Sequence, residues 1–240
     1  MTGTRPSRPT ELILRPAAAG VATVVYLAIA PSLPGSDTGA DTAATAASAG
    51  LALALLAALV LALAPIAEPG AQGLVLAAGA LPAAVLAQLW GPQAVATPLK
   101  AVAAAGIGYA LARLLSTPGQ LLAIAAIAMV VDTVSVAVGP TRTALEDAPD
   151  AADAVALHLP AWGGGAQLLV GAVDMLFLAT FASAARRVGL RPRATALAVT
   201  GGLVAAAVLA VAVDRPLPAI PLMALGLWVA NADLLGRRAA

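Results

Sequence analysis

The sequence predicts an all-α polytopic membrane protein of about eight transmembrane helices. Hydrophobic residues make up 61% of the 240 and charged residues 10%, against ~45–50% and ~25% in an average soluble domain. Apolar runs of roughly 20 residues recur along the whole chain, each about enough to span a bilayer as a helix. Much of the apolar content is Ala and Gly, which lets helices approach closely. Other classes are excluded in turn. The chain has no Cys, so it has no disulfide and no thiolate metal site. Its one His, His158, cannot build a His-rich metal centre. No phosphate loop, metal-ligand cluster or Ser/His/Asp set is present. No cofactor or metal is expected, and the expected surroundings are a lipid bilayer rather than nucleic acid.

Taken in order, residues 1–16 read as a short basic tail with Arg5, Arg8 and Arg15. Four spans are expected within 17–119: 17–33, 49–67, 73–90 (with Pro82 inside as a kink) and 98–115. In the first, Ala28-Ile29-Ala30 resembles a signal-peptidase site, but Pro31 is a poor residue to follow a cut, so an uncleaved helix is the reading. Residues 34–48 form a polar, turn-rich loop. The second half, 120–240, holds spans five to eight: 120–139, 165–185, 194–213 and 217–235. An acidic loop, 140–164, lies between the first two of these. His158 in that loop reads as solvated, and 143–159 as a possible surface helix. Trp90 and Trp162 suit an interfacial belt. Asp233 and Arg237, spaced i, i+4, suit a salt bridge.

Basic residues orient the chain. With the N-terminus cytoplasmic, ten Arg fall on the inner side, among them Arg113, Arg186, Arg187, Arg191 and Arg193. Lys100, Arg142 and Arg215 fall outside. Both termini are then cytoplasmic and the loop at 140–164 is exoplasmic, in a cell (inner) membrane.

Two acids stand inside apolar spans. Asp132 lies in QLLAIAAIAMVVDTVSVAVG and Asp174 in GAQLLVGAVDMLFLATFASAA. A carboxylate in hydrocarbon costs at least ~2.5–3.5 kcal/mol, which makes each a functional-site hypothesis. The first span runs outward, and Asp132 lies seven residues before Gly139, ~10 Å below the outer end. The next runs inward, and Asp174 lies nine residues after Gly165, ~13 Å below the same face. Adjacent helices would bring both acids to one depth. Two carboxyls that close cannot both ionise easily and would share a proton. One would act as base on a water while the other polarises a substrate carbonyl. The spacing alone leaves open a proton or cation relay in a transporter, or polar glue between helices.

Three stretches carry a resemblance. Asp132 is followed by Ser135-Val136, Pro140, Arg142 and Glu146. Gly171 and Asp174 suit a Gly-x-Gly-Asp helix. Pro218, Ala219, Ile220 and Pro221 suit a Pro-Ala-Leu segment, with Gly226 and Asp233 downstream. Together they resemble the presenilin and signal peptide peptidase family of intramembrane aspartic proteases, over about the second half of the chain. Three positions depart from the family pattern: Val131 for a Tyr, Val173 for the second Gly, and Ile220 for the Leu. The resemblance implies a presenilin-like bundle, an Asp132/Asp174 dyad and transmembrane protein or peptide substrates. Gly171 and the 218–221 segment would lie against the substrate. Proline there removes N–H donors and leaves backbone groups able to pair with an extended strand, although Pro is also ordinary at a helix N-terminus. Gly171 would let the two Asp helices approach closely. The predicted orientation is that of signal peptide peptidases and implies substrates whose span has a cytoplasmic N-terminus. The alternatives are a prepilin-peptidase-type protease, a proton-coupled transporter using the same acids, and an inactive presenilin-like scaffold.

Overall fold

The computed structural model describes residues 9–34, 42–139, 153–164 and 167–239. Eight long α-helices run through them: α1 (Pro9–Ile29), α2 (Thr42–Ala67), α3 (Gln72–Trp90), α4 (Gln93–Ala112), α5 (Pro118–Val138), α6 (Ala172–Arg187), α7 (Pro192–Val213) and α8 (Ile220–Ala239). A two-stranded antiparallel hairpin, β1 (Ala156–Leu159) and β2 (Leu168–Gly171), precedes α6. Its register pairs Ala156 with Gly171 and Leu159 with Leu168. Among the described residues, α1 to α5 and α7 are long and apolar enough to cross a membrane. The chain is a multi-pass membrane protein built from helices. Among the described residues the other two helices are shorter as spans: α6 has 16 residues, and the apolar part of α8 is Ile220–Leu234.

The centre of the bundle is α2 and α4, each 56% buried over its most apolar window. Small residues set the spacing around α4. A Cβ added at Gly108 would overlap the carbonyl of Leu176 in α6, and one at Gly106 would stand 2.8 Å from the Ala77 nitrogen in α3. Backbones pack this closely only where side chains are absent. Tyr109 of α4 donates its hydroxyl to the Val60 carbonyl of α2. In a second packed pair, α7 and α8, Asn231 is fully buried and donates to Thr195 Oγ1 at 2.8 Å and to Leu227 O at 2.9 Å. Its Oδ1 accepts from Arg191 N at 2.9 Å.

Several boundaries differ from the sequence reading. α1 begins at Pro9 and continues through Pro16, so half of the expected tail is helical. Pro82 lies inside α3 without interrupting it. α4 starts at Gln93 rather than at 98, which brings Lys100 two turns into the helix. The largest change is at the second Asp helix. Residues 168–171 are a strand, and α6 opens at Ala172 with Asp174 in its first turn. Apolar periodicity cannot separate a short strand from a helix segment. The glycines decide it: Gly163 and Gly164 have positive φ of 78° and 71°, which turns the chain back so that Leu168-Leu169-Val170 meets Ala156–Leu159.

Two ends of the bundle are distinct. The hairpin marks one. At the other, Glu68 after α2 pairs with Arg186 of α6 at 3.4 Å, and Arg191 before α7 pairs with Asp233 of α8 at 2.6 Å. Asp233 therefore bonds across helices to Arg191; the side chain of Arg237, its expected partner, lies outside the described residues.

Candidate active site

Asp132 lies in the last two turns of α5, six residues before Val138, ~9 Å from that end. Its Oδ2 accepts the Ile220 N–H at 2.9 Å. The first N–H groups of a helix have no partner within the helix. Proline at 216, 218 and 221 keeps the approach to α8 irregular up to Ile220. The end of α8 is thus open to a carboxylate from another helix, as the positive end of the helix dipole favours. Of Pro218, Ala219, Ile220 and Pro221, Ile220 is the one whose backbone N–H bonds Asp132, across 88 residues of sequence.

Asp174 stands at the opposite chain direction, in the first turn of α6, and is 7% exposed. Helices α5, α6 and α8 meet pairwise here, so the acids and the 218–221 segment occupy one corner at the hairpin end. Val131 and Val173, the two bulky departures beside the acids, are 61% and 49% exposed. Neither is wedged between the carboxyls.

Gly171 has a different place from the one expected. The nearest atoms to a Cβ built there are Val173 Cγ1 at 3.7 Å, Asp174 Oδ2 at 3.8 Å and Val173 N at 4.0 Å. All belong to its own segment, so Gly171 does not set the α5–α6 distance. It is the last residue of β2 and the N-cap of α6, and it lies beside the Asp174 carboxyl. The close approach the sequence reading sought for α6 is made by Gly108 of α4 instead. Pro140, Arg142 and Glu146 lie outside the described residues, as do the acids at 147 and 150.

The hairpin is held by residues the sequence reading passed over. β1 is almost wholly buried against α2 and α4, whereas β2 alternates half-buried and exposed. Lys100 Nζ donates to Asp153 O at 2.7 Å and to Ala156 O at 3.0 Å. Thr97 Oγ1, one turn earlier, accepts from His158 N at 3.2 Å. His158 is not solvated. Its side chain is 12% exposed, with Nε2 2.6 Å from Asp153 Oδ1 and Nδ1 3.1 Å from Gln167 Oε1. Asp153 also accepts from Gln88 Nε2 of α3. On the other side, Ser48 Oγ of α2 donates to Pro160 O. Trp162 Nε1 donates to Tyr26 OH at 3.1 Å, and Gly163 N to Leu33 O at 2.8 Å. Trp162 thus bonds inward to α1, unlike Trp90, which is 81% exposed at its helix end.

One signal for this clasp was present in the sequence. Lys100 is the single lysine of the chain, and placing the helix start at 93 makes it an intramembrane cation. Among the described residues no group of His, Cys, Asp and Glu could hold a metal ion. Compared with models of known protein families, with curated proteins and with solved structures, the chain matches none.

Proposed function

We propose that the protein is an intramembrane aspartic endopeptidase of the presenilin-like type, cleaving transmembrane segments of other proteins through Asp132 and Asp174. The observation that carries this reading is the convergence of three distant segments. The Asp132 carboxylate is bonded to the start of α8 at 2.9 Å, and α6, whose first turn holds the buried Asp174, packs against both α5 and α8. These are the three stretches that resemble the family.

The chemistry divides between the acids by their surroundings. In the proposed division Asp132, whose Oδ2 accepts the Ile220 N–H at 2.9 Å, serves as the base. Asp174, buried in the first turn of α6, serves as the acid. Asp132 takes a proton from water as its oxygen attacks the scissile carbonyl carbon. Asp174 gives its proton to the carbonyl oxygen, forming a neutral gem-diol. The diol then collapses as the amide nitrogen takes the proton from Asp132, the C–N bond breaks, and a diol hydroxyl returns its proton to Asp174. Surrounding helices limit water entry to the pair.

The substrate segment must be extended to expose a peptide bond. The half-exposed β2 offers an edge for strand addition, and it leads through Gly171 directly to Asp174. The excess of arginine at the far end puts that end in the cytoplasm, with both termini, and the hairpin on the exoplasmic side. The expected substrates then have a cytoplasmic N-terminus.

The same Asp132–Ile220 bond favours a second reading. A carboxylate on a helix N-terminus is also a structural cap, as an inactive scaffold would keep it. The test is cleavage of single-span substrates of both orientations by the purified protein in liposomes, beside Asp132→Ala and Asp174→Ala, with fragments read by mass spectrometry. Cuts within the span that vanish in both variants are expected. Intact substrate with the unaltered protein would reject the protease, and proton flux into the same liposomes would then separate transporter from scaffold.

A further inference from the structure

We propose that Lys100 is a positioning residue that fixes the hairpin in register before Asp174 and so selects the peptide bond that is cut; this rests on the protease reading above. Lys100 lies seven residues into α4, ~10 Å from its start, and is 7% exposed. An ammonium at that depth costs at least ~2.5–3.5 kcal/mol and needs a compensating role. Its contacts identify one. It bonds the carbonyls of Asp153 and Ala156, at the entry to β1 and at its first residue.

Lys100 and Thr97 act together as a substitute strand. The backbone groups of residues i and i+2 in a strand point the same way. Ala156 O reaches Lys100, and His158 N and O both reach Thr97 Oγ1. The edge of β1 that would otherwise bind a third strand is therefore filled by side chains of α4. Its other edge pairs with β2. Antiparallel pairs alternate between hydrogen-bonded and open. With Ala156 and His158 turned to α4, Leu157 and Leu159 are the residues bonded to Val170 and Leu168. Leu169 then directs its N–H and C=O, and Gly171 its N–H, to the outer edge of β2. A substrate strand added there takes its register from β2, β2 from β1, and β1 from Lys100 and Thr97. Only two residues, Ala172 and Val173, separate the end of β2 from Asp174.

The test compares the fragments released by the unaltered protein, Lys100→Met, Lys100→Arg and Thr97→Val from one substrate in liposomes, with kcat and KM for each. Lys100→Met keeps the aliphatic stem and loses the donors. Its cut should move or spread by about two residues, because a strand keeps its faces only when it slips by two. A fall in kcat of about 10- to 100-fold is expected from misplacing the scissile bond, with KM within about twofold. Lys100→Arg, which restores donors, should return the original cut. Thr97→Val should shift the cut in the same sense, and it decides the matter if Lys100→Met does not fold. A folded Lys100→Met or Thr97→Val protein cutting at the original bond with the original kcat would overturn the positioning role alone. Failure of the unaltered protein to cleave would overturn the protease reading and this role with it.

Discussion

Helices α4 and α5 are nearly equal in length, 20 and 21 residues, yet they occupy opposite environments. α4 has a mean hydropathy of 1.4 and is 56% buried, while α5 has 2.0 and is 17% buried. The less apolar helix is the inner one. In water the order would be reversed. In a bilayer the lipid is as apolar as a leucine side chain, so burial follows close packing and polar partners. α4 supplies both, through Gly106 and Gly108 for approach and Thr97, Lys100 and Tyr109 for bonds. α5 offers a surface of Val and Ile suited to lipid, with the capping box of Thr117 and Gln120 at its start and, toward its end, Asp132 accepting the Ile220 N–H. The comparison separates two tasks: α4 holds the fold, and α5 brings a carboxylate to it.

Substitutions on the two helices should therefore fail in different ways. The largest expected effect is Asp132→Ala on α5. Cleavage should fall by ~10²–10⁴-fold or more, as for loss of an acid–base group. Stability should fall by only about 1 kcal/mol, the size of a lost helix cap. Mass-spectrometric assay and a melting curve on the same sample in detergent check both. If stability collapsed instead, Asp132 would belong with the structural residues. Next comes Gly108→Leu on α4, which forces side-chain atoms onto the Leu176 backbone. A loss of about 1–3 kcal/mol or more is expected, seen as a lower melting temperature. A similar loss, about 1–3 kcal/mol, is expected for Asn231→Ala, which leaves Thr195 and the Arg191 N–H without their buried partner. Thr117→Ala removes the α5 cap and should cost about 1 kcal/mol. It would show as faster amide exchange in residues 118–122 than elsewhere in α5. The smallest effect is Ile127→Ala on α5, 63% exposed to lipid, with stability changed by no more than about 0.5 kcal/mol. A clear loss there would mean that α5 packs against another protein surface rather than lipid.

The sequence carried the class of the protein through composition alone. It also carried the two acids, because a carboxylate in an apolar run is conspicuous at any register. What it could not carry was the local conformation around Asp174. Gly-Ala-Gln-Leu-Leu-Val-Gly satisfies a helical span by hydropathy, and no residue in it forbids a strand. Gly163 and Gly164 turn the chain back, and Lys100 and Thr97, more than 50 residues earlier, offer β1 the bonds of a neighbouring strand. His158 illustrates the same limit. A lone His in an acidic loop reads as solvated until the fold places Asp153 2.6 Å from it.

By itself, then, the amino-acid sequence determined a helical multi-pass protein, the positions of its apolar runs, the clustering of arginine toward one end, and the presence of two acids within apolar runs. Those follow from transfer free energies, which depend on the residues within one segment. Tertiary structure decided which helices are inner, how α8 opens toward Asp132, and why Asp174 begins a helix. These depend on backbone groups that need partners from distant segments, Ile220 N for one and Ala156 O for another. A backbone donor or acceptor is identical at every residue, so the one that stays open for a carboxylate or a lysine is settled only when the chain is folded.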